Sequence, residues 1–190
     1  MKKSIITATI IFFGCLFCTA QVIAPAPPDK AVVYFARVSS LGLAINFSYF
    51  DSTTLIGKFN GPKYIRYECA PGAHIFWARS ENKDFVEADL EAGKIYLIEA
   101  VPMMGAFKAS VWLEPIDPQN EKDQKRISKI LKLMTKKPAE SFTAEELEKD
   151  TKDLEEVIKK GLEKYAEEKT KGNIMQRLER TMNYIPQPAG

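Results

Sequence analysis

The residue types that most often carry out catalysis or bind metals are scarce in this chain of 190 residues. Histidine occurs once, at His74, and of the three cysteines only Cys69 lies beyond the first twenty residues. A histidine–cysteine metal site needs several such ligands, and a nucleophilic triad needs a histidine between a nucleophile and a carboxylate. Both are hard to assemble here, so the sequence predicts no metal, no cofactor and no hydrolase of these types.

Both residues have ordinary structural explanations. Cys69 lies on a predicted strand with Ile65 and Tyr67 on the same face, so we expect it to be a buried, small apolar side chain. His74 follows the turn at residues 71–72, at the start of another predicted strand. We expect a half-exposed residue at a strand edge, with a pH-sensitive contact as the alternative.

Acidic residues are abundant, and a pair of them is the remaining route to catalysis. The chain has 25 aspartates and glutamates, and a glycosidase needs only two carboxylates, about 5–10 Å apart. Glu99 is the one carboxylate in a distinctly apolar run, residues 96–101, where a strand-edge or paired position is the ordinary explanation. We therefore predict a noncatalytic protein and keep a carbohydrate-active enzyme as an alternative.

The first twenty residues are typical of a secretory signal peptide. Two lysines at positions 2 and 3 precede the uncharged, mostly apolar residues 4–17. This run is shorter than the ~20 residues that cross a bilayer as a helix. Small residues at positions 18 and 20 predict cleavage between Ala20 and Gln21. Lipidation at Cys15 or Cys18 is the alternative.

Removal of residues 1–20 would leave a chain without net charge. The whole chain has 27 basic and 25 acidic residues, and two of the basic residues lie in the predicted signal peptide. A net basic surface for nucleic acid is therefore not expected, and an exported protein seldom meets nucleic acid. The single remaining cysteine forms no internal disulfide, so the fold depends on packing.

The middle of the chain has the pattern of a small β domain. Residues 30–116 alternate between short apolar runs and turn residues, which is typical of an antiparallel β-sandwich of about seven or eight short strands. Val86, Ala88 and Leu90 lie on one face of a predicted strand, so we expect that face in the core. Residues 31–36 are apolar without alternation, as expected of a central strand covered on both faces.

Two other regions flank this domain. Residues 21–29 contain three prolines and predict an extended linker. Residues 117–190 are predicted to form a charged helical extension of two to three helices, which makes the chain an α+β protein. The first helix ends at Pro138, and its apolar stripe is Ile127, Ile130, Leu131 and Met134. A longer helix begins at a capping box of Thr143 and Glu146. A short third helix contains Ile174, Leu178 and Met182.

The first two predicted helices have opposite charges. Residues 121–137 hold seven basic and two acidic residues, whereas residues 144–168 hold ten acidic and five basic residues. We expect the two helices to pair antiparallel, so that these charges cancel. The alternative is a basic helix that lies on a membrane surface. Its anion-contacting residues would be Lys122, Lys125, Arg126, Lys129 and Lys132.

Aromatic residues are the remaining candidates for ligand binding. Phe47 and Tyr49 share one face of a predicted strand, and Trp77 and Trp112 alternate with apolar neighbours. Packing in the core or between sheet and helix is the expected role. A carbohydrate-binding platform that uses Tyr49 or Trp112 is kept as an alternative.

Three short segments carry a resemblance to a known family. They are residues 30–37 (KAVVYFAR), 67–74 (YECAPGAH) and 90–96 (LEAGKIY). Over about residues 30–103 the chain resembles the secreted bacterial domain of unknown function family 2846. The resemblance implies an exported, often membrane-associated β-sandwich with no established activity, and it supplies no catalytic residues. It covers less than half of the chain, and the helical region from residue 117 onward departs from the family pattern.

The sequence thus predicts an exported, noncatalytic protein of the bacterial envelope that acts as an interaction or structural module. Its partner is expected to be another protein or an envelope component, and nucleic acid is excluded. A peripheral membrane or lipid-anchored protein that uses the basic helix is the first alternative. A carbohydrate-active or carbohydrate-binding protein is the second.

Overall fold

Two β-sheets packed face to face form the centre of the molecule, and helices cover their outer faces. The computed structural model describes residues 23–104 and 109–186. These residues form nine strands and three α-helices, which confirms the predicted α+β fold with its sandwich-like arrangement. Within the same two ranges, no helix is both long enough and apolar enough to cross a bilayer.

The elements are numbered along the chain. The strands are β1 (Ala31–Arg37), β2 (Asn46–Asp51), β3 (Thr54–Asn60), β4 (Lys63–Cys69), β5 (Gly72–Arg79), β6 (Lys83–Leu90), β7 (Ile95–Met104), β8 (Ala109–Pro115) and β9 (Gln176–Leu178). The helices are α1 (Gln124–Met134), α2 (Ala144–Asp153) and α3 (Glu155–Thr170). Single 3₁₀ turns lie at Glu121–Asp123, before α1, and at Arg180–Met182, after β9.

The strands divide between a four-stranded sheet, in the order β4-β1-β7-β8, and a five-stranded sheet, in the order β3-β2-β5-β6-β9. Neighbouring strands are antiparallel except for two parallel pairs, β1 with β7 and β6 with β9. Parallel neighbours need a long crossover connection. The chain between β1 and β7 provides one, because it builds most of the five-stranded sheet before it returns.

Alternating apolar residues fill the space between the sheets. Val86, Ala88 and Leu90 are buried there, as their alternation predicts. All seven residues of β1 are buried. Its inner face meets the five-stranded sheet and its outer face meets α1. The prediction of a central strand covered on both faces is therefore confirmed.

Helix α1 covers the outer face of the four-stranded sheet. It packs on Tyr34 and Leu97, and Ile23 of the predicted linker is buried in the same cluster. The buried residues of the helix are Ile127, Ile130, Leu133 and Met134. The predicted stripe contained Leu131 in place of Leu133, and Leu131 lies partly buried at the margin of the contact.

Helices α2 and α3 cover the outer face of the five-stranded sheet. Trp77 is at the centre of this contact, where its ring stacks on Phe50 with the centroids 3.9 Å apart. The indole N–H of Trp77 donates a hydrogen bond to the carbonyl oxygen of Ser52 at 2.8 Å. Helix α3 passes over Trp77 at Gly161, where a Cβ would lie 2.5 Å from Cη2 of the indole. The missing side chain at Gly161 therefore lets the helix approach the sheet.

The predicted pairing of the basic helix with the acidic helix is wrong. The basic helix α1 packs on one sheet, whereas α2 and α3 pack on the other. Each apolar stripe is covered by a sheet, which offers a broader apolar surface than a second helix does. The capping box of Thr143 and Glu146 is present as predicted, but the long helix that it opens breaks at Leu154 into α2 and α3.

The predicted third helix is also wrong, because residues 176–178 form strand β9. These residues pair with the edge of β6, so a tertiary contact supplies the backbone hydrogen bonds that a short helix would have supplied. Leu178 is buried in the core between the sheets, whereas Ile174 is almost fully exposed. Met182 lies in the 3₁₀ turn that follows and packs against the same core.

Polar side chains form hydrogen bonds with the backbone groups along the outer edge of β8. The side-chain amide of Asn82 donates to the Val111 carbonyl and accepts from the Val111 N–H, each at 2.8 Å. A carboxylate oxygen of Asp84 accepts from the N–H of Leu113 at 2.6 Å. Burial raises the pKa of Asp84 to about 6. These contacts replace a strand neighbour and protect the edge from pairing with another chain.

Candidate functional site

Four of the predicted site residues lie outside the part of the chain that the structure describes. They are Cys15, Cys18, Ala20 and Gln21. Their roles in lipidation and in signal cleavage therefore stay predictions. The other five predicted site residues belong to α1 and to the 3₁₀ turn before it.

His74 lies on the central strand β5, and its side chain is 12% exposed. The expected half-exposed position at a strand edge is therefore wrong. Nδ1 of His74 lies 2.8 Å from Oδ2 of Asp51, and Nε2 lies 2.8 Å from the carbonyl oxygen of Ala70. From the opposite sheet, the hydroxyl of Tyr67 donates to the same Asp51 oxygen at 3.1 Å. The network thus ties the two sheets together.

This geometry makes the His74 ring a cation. Both ring nitrogens face oxygens that accept hydrogen bonds, so both nitrogens donate and both carry a proton. The hydrogen bond to Asp51 raises the pKa of His74 to about 10, and the neighbouring Cys69 side chain adds to the rise. Such a ring has no lone pair with which to take a proton from Cys69, which is buried as predicted. The cluster is suited to holding the sheets together.

A second charged cluster lies beneath the first turn of α1. Glu99 is buried on the outer face of β7, opposite Glu114 of β8. The expected paired position is present as an ion pair with Arg126 of α1. Burial raises the pKa of Glu99. One guanidinium nitrogen of Arg126 lies 3.5 Å from a carboxylate oxygen of each glutamate, and another lies 3.9 Å from Asp123. Arg126, predicted to contact external anions, thus contacts carboxylates of its own chain.

The other four predicted residues form a row on the solvent side of α1. Lys122, Lys125, Lys129 and Lys132 are three, four and three positions apart, so they follow one helix face. All four are exposed, and none forms an ion pair with a described residue. Like charges at these spacings destabilise a helix slightly, so helix stability does not account for them. We call these four residues the lysine row.

The fold separates the lysine row from the acidic helices. The row lies outside the four-stranded sheet, and α2 and α3 lie outside the five-stranded sheet. The ~10 Å between packed sheets alone exceeds the ~8 Å over which physiological salt screens exposed charges. The acidic residues of α2 and α3 therefore do not neutralise the row, and the described carboxylate that Lys129 influences is Glu99, whose pKa it lowers.

Of the four aromatic residues that were candidates for carbohydrate binding, three are buried and one is exposed. Tyr49 and Phe47 are completely buried between the sheets, which excludes Tyr49 as a surface platform. Trp77 is buried beneath α3, as expected for packing between sheet and helix. Trp112 is the exception, because it is 41% exposed on the outer face of β8.

Sequence reasoning missed three other exposed apolar residues, Leu41, Leu43 and Met103. Leu41 and Leu43 lie in the loop between β1 and β2, and Met103 lies near the end of β7. The available signal was weak. Leu41 and Leu43 lie in a segment without periodicity, and Met103 lies at a strand end. From the sequence alone, such residues cannot be distinguished from core residues.

The described residues contain no group of three histidine, cysteine, aspartate or glutamate side chains that could hold a metal ion. A groove of 460 Å³ lies between the β2–β3 turn and the last two helices. It is lined mainly by apolar atoms of residues such as Thr53, Ile158 and Leu162.

No protein-family model matches the chain, and no curated protein matches its sequence.

Proposed function

We propose that the chain is an exported, noncatalytic module of the bacterial envelope that binds an anionic membrane surface through the lysine row. The observation that carries the proposal is the position of the row. Four exposed lysines follow one face of α1 and of the 3₁₀ turn before it, on the side of the molecule opposite to the acidic helices. Lipid headgroups with negative charge are the envelope component that fits this chemistry.

The binding is electrostatic, because the apolar face of α1 is already covered by the four-stranded sheet. Its four buried residues pack on the sheet and cannot enter a bilayer without unfolding the core. Each lysine near an anionic surface contributes about 1 kcal/mol, so the row contributes roughly 4 kcal/mol and is sensitive to salt. That energy alone corresponds to weak binding, in the millimolar range. Stable attachment needs a second contribution, such as a lipid chain on Cys15 or Cys18.

Neutralising two lysines of the row tests the proposal. Lys125→Gln combined with Lys129→Gln is expected to weaken binding to phosphatidylcholine–phosphatidylglycerol vesicles about thirtyfold, since two contributions of about 1 kcal/mol are lost. Cosedimentation at low salt measures the effect. The matched control is Lys152→Gln with Lys159→Gln, at exposed positions on the acidic helices. The control should stay within about twofold of the unmodified protein. Equal losses in the two double variants would refute a role for the lysine row.

The exported and noncatalytic parts of the proposal rest on other observations. Export is supported by the signal-like pattern of residues 1–20. A noncatalytic role is supported by the doubly hydrogen-bonded ring of His74 and by Arg126, which bridges Glu99 and Glu114. A hydrolytic activity that is lost in Glu99→Gln would overturn the noncatalytic role.

The intact mass of the protein, purified from the envelope of its own host, tests export. We expect a chain that begins at Gln21 and partitions into the aqueous phase, or a lipidated chain that begins at Cys15 or Cys18 and partitions into detergent. Signal peptidases remove the segment in either case. A chain recovered from the cytosol with its first twenty residues intact would contradict export.

A further inference from the structure

Exposed apolar side chains are concentrated at one end of the sandwich. Of the six large apolar residues that are exposed in the described chain, four lie there. Their exposed fractions are 48% for Leu41, 59% for Leu43, 53% for Met103 and 41% for Trp112. We call these four residues the apolar end. Single exposed apolar residues are ordinary, but a group at one end of a domain marks a contact surface.

The strand register places these four residues at the same end of the sandwich. β1 and β7 are parallel neighbours with Ala36 opposite Glu99, so the loop that follows β1 leaves the sheet at the same end as Met103. On the neighbouring strand β8, Trp112 pairs with Val101. Adjacent strands are about 4.8 Å apart, so the start of the β1 loop and Trp112 are separated by roughly two strand spacings. Leu43 lies further from Trp112, because its side chain packs beside Gly61 in the turn between β3 and β4.

The apolar end borders the lysine row. Glu99 and Glu114 lie on the outer face of the four-stranded sheet, where Arg126 of α1 bridges them. Side chains two positions further along a strand lie on the same face. Met103 and Trp112 therefore share the face on which α1 lies, just beyond the area that the helix covers. One side of the molecule thus presents the lysines next to two exposed apolar residues, Met103 and Trp112.

The loop that carries two of these residues is held in place by a buried arginine. Arg37 is completely buried, and its side chain donates hydrogen bonds to the carbonyl oxygens of Leu41 at 2.6 Å, Gly42 at 2.7 Å and Ile45 at 2.8 Å. The Arg37 guanidinium also lies 4.2 Å from the centre of the Phe47 ring. A loop fixed by three hydrogen bonds presents Leu41 and Leu43 without the entropy cost of ordering it on binding.

We propose that the apolar end inserts into the interfacial region of an anionic bilayer while the lysine row contacts the headgroups. This inference rests on the proposed function and supplies the second contribution that the lysine row needs. Tryptophan is favoured at the boundary between headgroups and acyl chains, where its ring is apolar and its N–H stays hydrated. Leucine and methionine side chains gain energy from burial at the same depth. The neighbouring lysines select an anionic lipid surface over a neutral one.

Trp112 is a built-in reporter for this insertion, because the chain has only two tryptophans and Trp77 is completely buried. The unmodified protein is mixed with phosphatidylcholine–phosphatidylglycerol vesicles whose acyl chains carry bromine, a quencher that acts at short range. We expect Trp112 emission to shift to the blue and to be quenched. The matched variant Trp112→Phe keeps Trp77 and should show neither change.

The outcomes separate this inference from the proposed function. Vesicle binding without bromine quenching would leave the lysine row as the contact and would overturn insertion alone. No vesicle binding would overturn both. A blue shift of Trp112 with heparin, a soluble polyanion, and none with vesicles would assign the surface to an acidic glycan and would also overturn insertion.

A second measurement uses salt to suppress the lysine row. In high salt, Leu43→Ser with Met103→Ser is expected to lower the remaining vesicle affinity about tenfold or more, because two apolar contacts are lost. Ile174→Ser is the control, since Ile174 is the most exposed large apolar residue and lies outside the apolar end. An unchanged affinity in the double variant, or an equal loss in the control, would overturn insertion. All three replaced residues are exposed, so the variants retain the core.

Discussion

Gly161→Ala is expected to destabilise the protein by about 2 kcal/mol, although the same change in an exposed helix stabilises by up to about 1 kcal/mol. The added methyl would lie 2.5 Å from Cη2 and 2.8 Å from Cζ2 of Trp77. Trp77 cannot retreat, because it stacks on Phe50 and its indole N–H donates to Ser52. Helix α3 must therefore lift from the five-stranded sheet. Urea unfolding of the two proteins measures the difference.

Trp77→Phe provides the control for this explanation. Phenylalanine lacks the outer part of the indole ring, which is the part that the new methyl would meet. Trp77→Phe itself costs stability, because a hydrogen bond and buried area are lost. In that background, Gly161→Ala should be neutral or should stabilise by up to about 1 kcal/mol. If the alanine destabilises both backgrounds equally, contact with Trp77 is not the reason for glycine at this position.

The free energy of unfolding should fall by about 1.4 kcal/mol per pH unit between pH 7 and pH 9, because folded His74 holds a proton that unfolded histidine has lost. The pKa of His74 is raised from 6.5 to about 10, with the hydrogen bond to Asp51 as the largest cause. The raised pKa stabilises the folded protein fully below pH 6.5, and this stabilisation is lost progressively as the pH rises to about 10. The total loss is roughly 3–5 kcal/mol. Urea unfolding at a series of pH values gives the slope.

Two variants assign this slope to the Asp51–His74 contact. His74→Gln removes the titrating group, and Asp51→Asn removes the carboxylate that holds the proton, so both should flatten the dependence. Tyr67 also donates to Asp51, but burial and the Asp51 charge raise its pKa above the ordinary value, so it stays neutral throughout this range. The expectation fails if the slope survives in His74→Gln, or if the unmodified protein shows none.

The extent to which the sequence predicted the fold depends on how local the signal was. Local patterns predicted a buried strand face and the start of a helix correctly. They are the alternation of Val86, Ala88 and Leu90 and the capping box at Thr143, and each depends only on residues close in sequence. The place of each helix was not predictable in this way. An amphipathic stripe shows that one face is buried, and it does not show which surface covers that face. Strand β9 was missed because its pairing with β6 is a tertiary contact.

The sequence predicted only those features of the candidate site that depend on residues close in sequence. The charge and spacing of Lys125, Lys129 and Lys132 indicated an exposed basic face, and the structure exposes them. Arg126 has the same charge, and only the fold shows that it is directed to Glu99 of a distant strand. The contact between Asp51 and His74 likewise joins residues 23 positions apart. Contacts between residues distant in sequence leave no periodic pattern to find.

The separation of charge by the fold changes the interpretation of the basic helix. If α1 had paired with α2 and α3, its lysines would have been neutralised internally. In the structure the two sheets stand between these helices, so the lysine row is free to attract an external anionic surface. The same arrangement directs the acidic helices away from that surface. Attraction on one side and repulsion on the other would orient the molecule as it approaches a membrane.

The salt dependence of vesicle binding by the unmodified protein tests the central claim most directly. Cosedimentation is measured with phosphatidylcholine vesicles that contain or lack phosphatidylglycerol, at low and at physiological salt. The account predicts stronger binding to the anionic vesicles, with an affinity that falls as salt is added, because salt screens the exposed lysines. Equal binding to both kinds of vesicle, or no binding to the anionic vesicles even at low salt, would contradict it.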